Sequence, residues 1–189
     1  QRQMCIRDRF GYEKIKNNLT ETSVRDRNIR DLGMVLDDIL LPYGDHLGDP
    51  RLRRLIAEQS GITDPDCVIV TGGAASALFL VASSLLEPGD HMIVARPNYG
   101  TNIATPEAIG ADISYLDQKF EEGFRVDIEK LESLIRPDTK YISLTNPHNP
   151  TGTMMGLHEL KRVIAIAEKH GVRLLVDETY RDMFKDERL

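Results

Sequence analysis

Asn149, Asp177 and Tyr180 are the residues whose types and spacing could do chemistry together. Asn149 stands in Ser143-Leu-Thr-Asn-Pro-His-Asn-Pro-Thr-Gly152, an apolar strand running into a Pro/Asn/Gly turn. Asp177 and Tyr180 stand in Leu174-Leu-Val-Asp-Glu-Thr-Tyr180, a buried strand that stops on a carboxylate. An amide, a carboxylate and a phenol at the ends of neighbouring strands meet where open α/β sheets collect ligands, outside the strands' carboxyl ends. Polar groups converging there suit a cofactor with a polar ring. An unpaired charge beside a buried strand is costly. Asp177 therefore requires a cationic partner, and an arginine side chain is the plain structural choice.

Two further stretches carry candidates. Val70-Thr-Gly-Gly-Ala-Ala-Ser-Ala77 is a strand, a glycine turn and a helix start, and free N–H groups with the helix dipole make such a junction an anion site. The small residues Gly73, Ala74 and Ala75 let a phosphate approach the backbone, although strand–Gly-Gly–helix also serves as a tight turn alone. The stretch is neither GxGxxG nor a Walker loop. Tyr99, in Arg96-Pro-Asn-Tyr99, follows a strand end, either as a half-buried aromatic on the sheet edge or as a plate for a flat ligand.

The motif NPHNPTG followed by VDETY resembles the large domain of the pyridoxal-phosphate aminotransferases of fold type I, the aspartate-aminotransferase-like class I/II group. The likeness runs from Leu40 to the last residue. It implies pyridoxal 5'-phosphate as cofactor and amino acid and 2-oxo acid substrates. Asn149 and Tyr180 would donate to the cofactor's phenolic oxygen, and Asp177 would pair with the ring nitrogen and keep it protonated. Gly73, Ala74 and Ala75 would hold the phosphate, without the hydroxyls some relatives place there, and Tyr99 would stack on the ring. The resemblance also implies a cis Asn149–Pro150 bond. Tyr43, in the loop Pro42-Tyr-Gly-Asp-His-Leu-Gly-Asp-Pro50, would cross to the neighbouring subunit's cofactor phosphate, which makes the protein a homodimer; a loop tyrosine packed on its own helix is the alternative. The family's Schiff-base lysine and its substrate-carboxylate arginine lie further along the chain than Leu189, and Lys185 is too close to Tyr180 to serve. The expectation is a truncated domain, inactive as it stands. A lyase on the same scaffold, or an aminotransferase-like sensor domain of a transcription regulator, shares these motifs; a dinucleotide-binding Rossmann protein is disfavoured without GxGxxG.

The elements that must position these residues alternate. Asp49 and Pro50 open a helix with Leu52, Leu55 and Ile56 on one apolar face, closed near Gly61. Strands are expected at Cys67–Val70, His91–Ala95, Asp112–Leu116, Tyr141–Leu144 and Val172–Val176. Helices are expected at Ala74–Leu86, near Tyr99–Ile109, after Asp127 (Ile128, Leu131, Leu134 and Ile135 on one face) and at Leu157–His170 (Leu160, Val163, Ile164 and Ala167 inward). Repeated β-then-α units mean a three-layer α/β/α fold with a mostly parallel sheet. Residues 1–9 read as a non-native or disordered tail, 10–40 as an arm with a short helix near Asp31–Leu40, and 41–189 as the partial cofactor-binding domain.

Composition excludes several classes. With 189 residues, 41% hydrophobic and 29% charged, the chain is long enough for one ordinary globular domain. Its 24 basic and 30 acidic residues give a net charge of −6, with no basic stripe for nucleic acid. No apolar run approaches the roughly 18 residues that span a membrane. Cys5 and Cys67 lack the spacing of a disulfide framework or zinc site, and a reducing, cytoplasmic location is expected.

Overall fold

Short apolar runs bounded by Gly, Pro and Asp become four strands, β1 (His91–Arg96), β2 (Asp112–Asp117), β3 (Thr139–Thr145) and β4 (Arg173–Asp177). They form one parallel sheet in the order β2-β1-β3-β4. The structure is a computed structural model that describes residues 27–36, 40 and 43–183. The chain divides between Tyr43 and Gly44 into two units. The sheet and its helices belong to the second: α1 (Pro50–Gln59), α2 (Ala74–Leu85), α3 (Gly100–Ile109), α4 (Ile128–Ser133) and α5 (Leu157–His170).

Because successive strand residues point to opposite faces, each strand feeds two cores. Ile93, Ala95, Leu116, Ile142 and Leu144 pack with Ile128 and Leu131 of α4 and Val163 and Ala167 of α5. On the other face Met92, Val94 and Tyr141 pack with Ala82 of α2 and Ile103 of α3. The result is the expected three-layer α/β/α arrangement. The fully buried His91 ties the start of β1 to both neighbours, with Nδ1 2.7 Å from the Thr139 hydroxyl and Nε2 2.9 Å from that of Ser114.

Local chemistry sets the helix ends. Asp49 caps α1 by accepting from the Leu52 N–H at 2.9 Å, with Pro50 in the first turn. Asp127 caps α4 through the Lys130 N–H at 2.9 Å. Gly171 closes α5 in the left-handed conformation.

Several expectations differ from the structure. Cys67–Val70 is not a strand among the described residues: Pro65–Cys67 is a 3-10 turn, and Val70 donates only to the Leu47 carbonyl, at 2.8 Å. The buried Arg53 binds the Val68 carbonyl (2.9 Å), the Pro65 carbonyl (2.8 Å) and Asp66 (2.7 Å), so a side chain supplies bonds that a ladder otherwise makes. In α1 it is Arg53 and Ala57 that are buried, while Leu52, Leu55 and Ile56 face outward. In α5 Ile164 is exposed and Ile166 packs on the core in its place. In the first unit, the helix expected near Asp31–Leu40 is one 3-10 turn at Ile29–Leu32, held by the Asn28 N–H on Asp31 and ended by Gly33 at φ +66°. Residues 37–39, the tail 1–9, most of the arm and Lys185 lie outside the described residues. Among the described residues no helix is long and apolar enough to cross a membrane.

Candidate functional site

In a parallel sheet all carboxyl ends share one edge, so Tyr99, Asn149 and the pair Asp177 and Tyr180 follow β1, β3 and β4 at that edge, from three adjacent strands. Gly73, Ala74 and Ala75 open α2. That helix has twelve residues, about 18 Å of rise. It ends just before β1, whose six residues span about 20 Å. A helix returning along the sheet over that length brings its N-terminus back to the carboxyl edge.

The α2 start has no side-chain cap, and its N-cap is Gly73 at φ +105°, ψ +165°, backbone that a side chain does not tolerate. Its first N–H groups therefore point out of the helix without a capping acceptor. A cavity of about 470 Å³ opens beside it, its lining including Thr71, Gly72, Ala75 and Ser76 as well as Ile69, Phe79 and Leu80. Thr71 and Ser76 are hydroxyls the sequence reading passed over; the Thr71 hydroxyl is turned to the Gly73 carbonyl at 2.9 Å.

The turn carrying Asn149 is self-braced. Asn146 accepts from the Met155 N–H (2.8 Å), and His148 exchanges backbone bonds with Thr153 and Gly152 (2.8 Å each). His148 is 5% exposed, with Nδ1 2.7 Å from the Thr151 hydroxyl. Burial pushes its pKa down, opposed in part by the Pro97 carbonyl. The bonds Asn146–Pro147 and Asn149–Pro150 are cis, as is Arg96–Pro97. The Asn149 side chain makes no hydrogen bond among the described residues. A cavity of about 100 Å³ lies behind the turn, lined by Thr145, Asn146, His148 and Gln118 among others.

Asp177 is half-buried at the end of β4. Its Oδ1 accepts from the Thr179 N–H (3.0 Å) and hydroxyl (2.6 Å). Among the described residues it forms no ion pair, so the arginine partner considered from sequence is not found there. Arg96, the cation at the end of β1, is turned towards β2, engaged by Asp117 at 2.7 Å and 4.3 Å above the Tyr115 ring. That guanidinium holds the Asp117 carboxyl below its usual range. Tyr99 is 45% exposed, and Tyr180 is half-buried. Tyr43 belongs to the other unit and is 93% exposed. An uncapped, glycine-led helix start, a carboxylate without a cation and an exposed aromatic ring fit a ligand with an anionic end and a flat cationic ring.

Residues 12–188 match the model of the family described as aminotransferase class I and II. An arginine–pyruvate transaminase of Pseudomonas aeruginosa is 36% identical over 149 residues, which cover 76% of this chain and 38% of that protein. An aspartate aminotransferase of Sulfurisphaera tokodaii is 35% identical over 151 residues, covering 77% and 38%. Among solved structures, a PLP-dependent aminotransferase of Streptococcus suis superposes with a TM-score of 0.72 at 36% identity, covering 80% of this chain and 40% of that one. The aspartate aminotransferase of Thermus thermophilus gives 0.74 at 30%, covering 78% and 40%. The chain thus spans about 38% of the length of these two curated relatives. On the family match and these likenesses, the chain belongs to the class I and II aminotransferases, a family dependent on pyridoxal phosphate.

Proposed function

We propose that this chain is the cofactor-holding part of an enzyme that moves an amino group between an amino acid and a 2-oxo acid. The observation that carries the reading is Asp177, a half-buried carboxylate at the end of β4, the outermost strand beside β3 among the described residues, with no cation among those residues, at the carboxyl edge that also presents Asn149 and Tyr99. Bound pyridoxal phosphate supplies an electron sink for the bond broken at the substrate's α-carbon. The protein's residues do the rest. Asp177 accepts the N–H of the ring nitrogen and holds the proton there. The Asn149 amide and Tyr180 hydroxyl donate to the phenolic oxygen. The N–H groups at Gly73, Ala74 and Ala75 receive the phosphate, aided by the dipole of α2. Tyr99 covers one ring face, worth about 0.5–1.5 kcal/mol beyond burial.

We extend the proposal to a homodimer in which Tyr43 reaches the neighbouring subunit's phosphate, working in a reducing, cytoplasmic setting consistent with the exposed free thiol of Cys67. The test uses the complete purified protein. Pyridoxal phosphate should give it a new visible absorbance band, and a panel of amino acids should each be scored for the 2-oxo acid produced. Absence of both, in folded protein, rejects the proposal. Elimination products without amino transfer would place the chain with the lyases.

A further inference from the structure

Asn98 lies between Pro97 and Tyr99, where β1 gives way to α3, and every polar atom of its side chain is used. Its Nδ2 donates to the Ala95 carbonyl at 3.0 Å. Its Oδ1 accepts from the Tyr99 N–H at 2.7 Å, the Asn102 amide at 3.1 Å and the Thr145 hydroxyl at 3.0 Å. Only one orientation of the amide serves, because the Tyr99 N–H can only donate and must face the oxygen. Asn102, 4% exposed, is fixed in turn by the Ser143 hydroxyl on its Oδ1 at 2.9 Å.

The far end of this network reaches the carboxylate strand. Thr145 is the register partner of Asp177, and the next residue, Asn146, donates its N–H to the Asp177 carbonyl at 2.9 Å. One amide oxygen thus joins the backbone that carries Tyr99 to the strand end set against Asp177. Tyr99 itself is 45% exposed, and this tether fixes the backbone from which its ring projects.

We propose that Asn98 is a positioning residue: by binding the Tyr99 N–H and the Thr145 hydroxyl on one oxygen, it sets the aromatic ring of Tyr99 relative to the Asp177 strand end and so shapes the slot for a flat cofactor ring. The inference rests on the reading of the site given under Proposed function. It adds a residue whose side-chain polar atoms are engaged by protein groups and which acts through Tyr99.

The test is a double-mutant cycle in the complete protein, comparing wild type, Asn98→Ala, Tyr99→Ala and the double variant. Two quantities are read: the dissociation constant of pyridoxal phosphate, and hydrogen exchange of the Tyr99 amide in cofactor-free protein. Asn98→Ala should raise the dissociation constant about three- to tenfold, the range a lost stacking contact spans. The same change made on Tyr99→Ala should add less than about twofold, since residues acting as a unit are not additive. The Tyr99 amide should exchange faster in Asn98→Ala. If that variant does not accumulate folded, Asn98→Ser, which shortens the side chain away from Thr145, takes its place in the cycle. Equal losses with and without the Tyr99 ring, or an unchanged dissociation constant, overturn the role of Asn98. Wild-type protein that takes up no cofactor overturns the reading of the site instead.

Discussion

Asp177 has one oxygen occupied by Thr179 and a charge that nothing among the described residues neutralises. In the complete protein, Asp177→Ala should lower kcat by on the order of 10²–10³, the cost of removing a group that stabilises charge at the reacting centre, as measured by 2-oxo acid formation under saturating substrate. Gly73 makes a second prediction. A methyl at its Cβ position would meet nothing within 4 Å, so the cost of Gly73→Ala is in the backbone, about 1–3 kcal/mol for forcing a side chain into that conformation. Denaturant titration should report that loss, together with weaker cofactor uptake. The place of Asp177 at the end of β4, with Tyr180 three residues on, was legible in the sequence because a strand end and its spacing are local properties. Asn98, Asn102 and Ser143 were not. The partners of Asn98 and Asn102 on β3 lie 47 and 41 residues away in sequence, and nothing local marks those asparagines as bridges.

At the scale of elements, most strands and helices followed from apolar period and capping residues, while Cys67–Val70 and the outer face of α1 did not. Val68 and Val70 have the composition of a strand, but their backbone is satisfied by Arg53 and Leu47, a solution periodicity cannot foresee. Arg53→Leu should therefore cost on the order of 3 kcal/mol, since it leaves the Val68 and Pro65 carbonyls without their charged donor. A shifted urea midpoint with an unchanged slope would check it. Gly48 faces the same segment so closely that an added Cβ would come within 2.5 Å of the Val70 Cβ, which explains a glycine there. For α1, a stripe of Leu52, Leu55 and Ile56 predicts a face but not which side of the helix the rest of the chain covers.

For the whole molecule, two buried histidines tie stability to pH. Burial, then the Arg136 charge, hold His91 below its ordinary 6.5, against Asp138 and Asp112; burial does the same for His148. Their stabilising contribution is complete above pH 6.5, where folded and unfolded chains are both neutral. It is lost as pH falls towards the folded-state values, because only the unfolded chain takes up the protons, at up to about 1.4 kcal/mol per pH unit for each. Unfolding midpoints from pH 7.5 to 5.5 should drop, and His91→Gln should flatten the slope. The proposed dimer gives a test by mixing. Tyr43→Ala and Asp177→Ala subunits are each impaired alone, but a hybrid recovers one intact site if Tyr43 serves its neighbour. Activity no better than either parent would place Tyr43 in its own subunit's service.

The order β2-β1-β3-β4 also decides where an insertion would do harm. The chain leaves β1 towards one flank to make β2, then doubles back to lay β3 on the opposite flank, so the segments departing from β1 and β3 fork apart and leave a cleft between them by topology alone. The turn Phe120–Glu122 follows β2, and Gln118 and Phe124 on either side of it line the cavity that Thr145, Asn146 and His148 share. An insertion between Arg96 and Gly100 would part Tyr99 from the bonds that Asn98 makes to Ala95 and Thr145 at the mouth of that cleft.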